Sequence, residues 1–197
     1  QTGFIATAGQ AQNIFDFLEE LRSGKPGLPI IVDPVMGDKG RLYVEAPLVA
    51  TYRERVPSLA SLITPNAFEA RTLVGRETDD LTLDDLVAAL TAMGMASGLV
   101  TSAETFVEGA SDRAILSFEQ GASTLTRHAS VGFARDPNGV GDFVAALSAG
   151  LYGQGTLAAR TDRIAKALVA LLEATATLGL GELALVQAQD DWIRALD

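Results

Sequence analysis

The feature that most constrains this chain is an alternation of two periods. Short β-rich runs, GFIA (3–6), PIIVD (29–33), SLIT (61–64) and GLVTS (98–102), are separated by segments whose apolar residues recur at helical spacing, such as AQNIFDFLEELRSG and LTLDDLVAALTAMG. A strand, a crossover helix and a second strand return to one sheet only in parallel. The pattern therefore predicts an α/β fold, a three-layer α/β/α sandwich with a mostly parallel central sheet. In the first helical segment Ile14, Phe17, Leu18 and Leu21 are expected on the buried face, with Gly24 and Pro26 ending the helix. Residues 113–131, RAILSFEQGASTLTRHASV, break the rhythm and read as two strands about a Gly-containing turn, an antiparallel hairpin on the sheet edge. A helix from about Gly141, a long Ala/Leu-rich helix over roughly 158–178, and a closing strand then helix in ELALVQAQDDWIRAL complete the order. With no repeat, low-complexity tract or linker, residues 1–197 read as one domain.

Composition narrows the function classes. A chain of 197 residues with 48% hydrophobic residues can bury a proper core. Its net charge of −10 opposes loose binding to nucleic acid or an anionic membrane, so a small-molecule partner is expected. The lack of cysteine excludes disulfides, thiolate metal sites and a cysteine nucleophile. No apolar run is long enough to cross a bilayer and no basic, apolar signal segment opens the chain, so the expected location is cytoplasmic. The chain opens at Gln1 without an initiator Met, with TGFIA already reading as a buried strand, and so reads as lacking a natural beginning.

The chemistry-bearing stretches begin with DPNGVGDFVAAL (136–147). Asp136, Pro137 and Asn138 are turn formers, Gly139 and Gly141 permit backbone angles closed to other residues, and a helix starts where they end. N–H groups exposed at such a helix start, with the positive end of its dipole, cradle a phosphate or developing negative charge. Asp142 is then either a first-turn acid stabilising the helix by about 0.5–2 kcal/mol, or a general base beside an anion hole.

Other strand ends bear on that choice. In DPVMGDKGRLYV (33–44), Asp33 ends a strand at the carboxyl edge of the sheet, where open α/β proteins bind ligands, and Asp38 follows in a Gly-rich loop. LITPNAFEARTLVG puts Thr64, Pro65 and Asn66 at the next strand end with Glu69 three residues after Asn66, which taken alone is an N-cap and its N3 partner. A third strand ends in Thr101 and Ser102. Three successive strand ends carrying small polar or acidic groups favour a polar crevice over three separate caps.

Taken in order, DPVMGDKGRLYV, TPNAFEARTLVG, VTS and NGVGDFVAALSAGLY resemble the pyridoxal kinases of the ribokinase-like superfamily, and the closing ELALVQAQDDWI is similar to that family's tail. The resemblance runs from about Gly3 to the C-terminus. It implies a ribokinase-like fold and transfer of the γ-phosphoryl of ATP to the 5′-hydroxyl of pyridoxal, pyridoxine or pyridoxamine, with Mg2+ and room for K+. By match to the family's motifs, Asp142 is the catalytic base and touches the substrate alcohol, and Gly139, Val140 and Gly141 form the anion hole. Asp33 and Glu69 fall near the phosphates and metal, reaching the ion through water. Thr64, Asn66, Thr101 and Ser102 line the nucleotide site, and RHAS, that is Arg127, His128, Ala129 and Ser130, touches the nucleotide at the hairpin's end. A homodimer is implied for the full-length family form.

Other residues carry plainer expectations. His128 is the only histidine, which excludes a metal site built on histidines. Trp192 reads as packing, Tyr43 as a nucleotide contact or loop cap, and TDDLTLDD (78–85) as a solvated helix start. Arg71 and the Lys39–Arg41 pair could approach phosphates, with surface roles as the default.

The nearest rival is a hydroxymethylpyrimidine kinase, which shares a DPVM-like strand end and a PN-E helix start; the GDKGR-Y continuation and Asp142 favour the B6 reading. A non-catalytic ligand-binding relative that keeps the fold is the alternative from another class. The family's initial strands, which contact the pyridine ring and form a lid and dimer surface, have no counterpart here, so a chain truncated at this point is expected to bind B6 vitamers weakly or not at all. A calorimetric titration giving micromolar pyridoxal binding to the 197 residues would refute that expectation.

Overall fold

A computed structural model describes residues 1–76, 81–133 and 137–197; residues 78–80 of the acidic stretch and the turn former Asp136 lie outside the described residues. The first part of the chain runs α1 (Ala8–Gly24), β1 (Ile31–Val32), a small hairpin of β2 (Gly37–Asp38) and β3 (Arg41–Leu42), α2 (Ala46–Leu59), β4 (Leu62–Ile63), α3 (Ala67–Val74) and α4 (Leu83–Ala92). The second runs β5 (Ser97–Val100), β6 (Arg113–Glu119), β7 (Ala122–His128), α5 (Val140–Gly150), α6 (Leu157–Thr177) and α7 (Gln189–Arg194).

The main sheet has the order β1-β4-β5-β6-β7. β1, β4 and β5 are parallel, with Ile31 beside Leu62 and Ile63 beside Gly98. The expected hairpin follows them at the edge, β6 antiparallel to β5 and β7 antiparallel to β6. Alternation along each strand divides the core in two. Val32, Ile63, Val100 and Leu116 pack against α1 to α4 on one face, while Ile31, Leu62, Leu99 and Ile115 pack against α5 and α6 on the other. β1, β4, β5 and β6 are buried on both faces because helices cover both, and this makes the three layers.

Three sequence expectations need correction. The GFIA run is not a full strand: Thr2 alone bridges Val32 in parallel, because Thr7 already caps α1 and leaves few residues to extend the ladder. On α1 the buried positions are Ala11 and Phe15, not Ile14 and Phe17, which are 36% and 60% exposed. The reason is Phe15, whose ring meets Tyr52 of α2 edge to face at 5.9 Å and so sets the rotation of the helix. The closing segment before α7 forms turns rather than a strand, since Ala184 donates its N–H to the Thr175 hydroxyl of α6 at 3.0 Å instead of joining the sheet. Trp192 packs as expected, edge to face on Phe143 at 5.4 Å.

At the centre of the sheet Gly98 is required by close approach. A Cβ there would stand 2.5 Å from Phe118 and 2.8 Å from Ile63. Gly98→Ala is expected to lower stability by about 1–3 kcal/mol, since overpacking a filled core forces neighbours off their rotamers. Thermal unfolding measures it, and Phe118→Leu in the same chain is expected to recover part of the loss.

Candidate active site

The carboxyl ends of β1, β4 and β5 open on the same side as the start of α5, and the local chemistry of each explains its shape. Asn66 is the N-cap of α3, and its side-chain oxygen accepts from the Glu69 N–H at 2.9 Å while Glu69 accepts from the Asn66 N–H at 2.8 Å. The capping box read from the sequence is therefore present. It is also half of a larger arrangement. The other Glu69 oxygen accepts from the N–H groups of Met36 at 2.8 Å and Gly37 at 3.3 Å, and the Asn66 amide donates to the Gly37 carbonyl at 2.8 Å. The two residues thus clamp the loop that follows Asp33, a role invisible in the local spacing.

Asp33, Glu69 and Thr64 are buried. Asp33 is pushed up to about 7, first by burial, then by the Glu69 carboxylate, with Asp142 adding and Thr64 opposing. Glu69 also rises to about 7 through burial, against the three backbone donors that favour its charge, with Asp38 adding repulsion. Tyr52 lies beneath them, fully buried with no hydrogen-bond partner for its hydroxyl. Burial, and after it the fields of Asp33 and Glu69, raise its phenol further.

Gly139 takes the left-handed conformation, φ 92°, which turns the chain into α5, and the first helical bond runs from the Phe143 N–H to its carbonyl at 2.9 Å. Thr7, Asn66, Thr82 and Thr156 cap α1, α3, α4 and α6 with their side chains, whereas α5, like α2 and α7, has no side-chain cap. Its first-turn amides therefore have no side-chain partner at the cap. Asp142, exposed in that first turn, makes no capping bond; its Oδ1 lies 3.6 Å from where a Cβ on Gly3 would stand, and Asp33 Oδ2 lies 3.9 Å from a Cβ on Gly141. Asp33, Glu69 and Asp142 thus form one acidic corner beside an open helix terminus.

Next to this corner lies a cavity of about 670 Å³. Of the residues expected at a nucleotide site, Asn66, Thr101, Ser102, His128, Ala129 and Val140 line it. Asp33, Thr64 and Glu69 do not line it and are buried. Arg127 and Ser130 are exposed and do not line the cavity, nor does the exposed Tyr43. His128 bonds through Nδ1 with the Ala129 carbonyl at 3.1 Å. Ser102 is held at φ 56°, unusual for a residue with a side chain and typical of a constrained functional turn. Sequence reasoning missed the apolar wall, Val131, Phe133, Leu168 and Leu172, which joins the segment after β7 to the buried stripe of α6. Arg71, named as able to approach phosphates but given a surface role by default, lines the cavity.

The fold matches that of the pyridoxal kinase of Leishmania donovani solved with ADP and ginkgotoxin, with a TM-score of 0.80 and 25% identity over 97% of this chain and 69% of that one. Fold and crevice together define a ribokinase-like α/β protein. The family model described as phosphomethylpyrimidine kinase matches residues 1–183. The chain belongs to the family that this model describes and that includes the pyridoxal kinases, within the ribokinase-like superfamily. It is 33% identical over 191 residues to the pyridoxine/pyridoxal/pyridoxamine kinase of Bordetella pertussis, covering 94% of this chain and 66% of the relative. With the pyridoxal kinase of Arabidopsis thaliana the identity is 42% over 102 residues, 51% of this chain and 33% of the relative. The chain thus spans between one third and two thirds of the length of these relatives.

The acidic corner makes stability depend on pH. Asp33 and Glu69 bind protons more tightly folded than unfolded, so their contribution is complete below about pH 4 and is lost as pH rises through about 7. Asp33→Asn removes one buried charge and is expected to stabilise the chain at about pH 8 by roughly 2 kcal/mol, with the gain fading toward about pH 4. Thermal unfolding at both pH values without divalent cation measures it.

Proposed function

We propose that the chain carries an ATP-dependent phosphotransferase centre acting on the 5′-hydroxyl of pyridoxal, pyridoxine and pyridoxamine. The observation that carries this reading is Asp142 in the first turn of α5, beside uncapped amides and facing the buried Asp33. A primary alcohol attacking phosphorus must lose its proton, and Asp142 is the group within the corner exposed enough to take it. The amides that follow Gly139 receive the negative charge gathering on the transferred group, and they are fixed before it arrives. The cavity supports the nucleotide assignment, with an apolar wall suited to a base and polar strand ends suited to ribose and phosphates.

The residues fit a magnesium ion. Asp33 and Glu69 are two buried oxygen donors, and the Glu69 charge raises Asp33, a repulsion that a cation beside them would relieve. That suits a hard ion that keeps several waters and is held by one or two carboxylates together with phosphate oxygens. When bound, the ion neutralises charge on the phosphoryl oxygens. Asp33 and Glu69 would hold it, through water, with Glu69 kept in place by its backbone donors.

The family model's own description supports a second reading, phosphorylation of a hydroxymethylpyrimidine. Rates of ADP release with excess pyridoxal and with excess hydroxymethylpyrimidine separate the two, and faster turnover on pyridoxal is expected. Asp142→Asn is expected to lower pyridoxal-dependent turnover by about 10²–10⁴-fold while leaving ADP affinity within about twofold. Unchanged turnover in that variant would remove the phosphotransferase reading, and equal loss of ADP binding would assign Asp142 to the nucleotide instead.

A further inference from the structure

The surroundings of Arg71 are not explained by packing alone. The residue stands on α3 and lines the cavity, and its guanidinium lies over the face of Phe106 at 4.0 Å. One nitrogen donates to the Thr105 carbonyl at 3.4 Å, a long and weak bond, and its buried Nε has no hydrogen-bond partner. A guanidinium offers five N–H donors in a planar fork, so most of its capacity is unused. The other arginine at this cavity, Arg113, is paired with Glu104 at 2.9 Å. No such ion pair involves Arg71 among the described residues. The stack on Phe106 holds the fork in one plane without using its donors, which is preorganisation for a planar or tetrahedral anion.

The charge balance points the same way. The chain carries −10, and Asp38 shares the cavity with Arg71 while Asp33, Glu69 and Asp142 lie in the adjoining corner. An entering polyphosphate meets acid from one side and needs a fixed cation on the other. From this geometry we infer that Arg71 is a direct ligand of the nucleotide's polyphosphate, distinguishing phosphorylated nucleosides from bare ones. The inference rests on the nucleotide reading of the cavity.

Calorimetric titration of the chain with ADP, adenosine and pyrophosphate tests it. Arg71→Gln is expected to weaken ADP and pyrophosphate by about tenfold or more, the scale of a lost charge-assisted bond, and to leave adenosine within about twofold. Arg71→Lys, which keeps the charge without the fork, is expected to recover part of the ADP affinity, and steeper salt dependence of ADP binding in the parent chain should accompany it. Parallel weakening of ADP and adenosine would reduce Arg71 to a wall of the cavity stacked on Phe106 and overturn the inference, as would no weakening at all. If the parent chain takes pyrophosphate through Arg71 but not ADP, the nucleotide reading falls while the anion contact stands; if it takes neither, both fall.

Discussion

The carboxylate of Glu69 is the joint on which the rest of the site depends. Buried at 4% exposure, it accepts from the backbone of its own helix start and from two N–H groups 32 and 33 residues earlier in the chain. Burying a carboxylate is costly, and three donors to charged oxygen, each worth about 1.5–3 kcal/mol, offset that cost only while all of them are made. The loop after β1 and the start of α3 are therefore one piece. Asp33 is held at the end of β1 by the same construction, close enough to feel Glu69 and Asp142 together. The corner's electrostatics thus follow from a helix cap that reaches across the sheet.

How much of this the sequence disclosed depended on distance along the chain. The alternation of periods carried the layers, the parallel strands and the edge hairpin, because each element declares itself within about ten residues. The Asn66–Glu69 box was equally local and was legible. The bond from Glu69 to Met36 and Gly37 was not, since nothing in TPNAFEARTLVG refers to residues so far away. The rotation of α1 failed for a related reason. Ile14 and Phe17 fit an apolar stripe as well as Ala11 and Phe15 do, and only the position of Tyr52 on another helix decides between them. In the closing segment ELALVQ, strand propensity yielded to a single hydroxyl on α6.

The cavity illustrates the same limit from the side of function. Leu168 and Leu172 sit on a helix whose buried stripe is plain in the sequence, but periodicity cannot tell which part of a stripe meets the core and which part faces a ligand. Arg71 was weighed as a phosphate contact but left with a surface role as the default, because a lone arginine on a helix carries no local signal of what faces it. Its partner Phe106 arrives from the turn after β5, which Ser102 starts in the left-handed conformation. A strained residue in front of a ring that orients a cation is information held only in three dimensions.

In the proposed reaction the acidity of the site sets the order of events. Without a cation, burial holds both Asp33 and Glu69 near 7, with the Glu69 charge adding to the rise at Asp33, so at neutral pH the pair retains part of a proton. A free polyphosphate entering this corner would add like charge to it, and a divalent ion entering alone would have to displace that proton with few protein ligands to repay the loss of water. With a divalent ion bound, Asp33 and Glu69 would hold it and their charge would be offset, while the α5 amides would take the charge that remains on the phosphate. The exposed Asp142 stays outside that neutralised set, free to act on a proton, and this division follows from burial, since the two acids under the loop are enclosed and the one in the first turn of α5 is open.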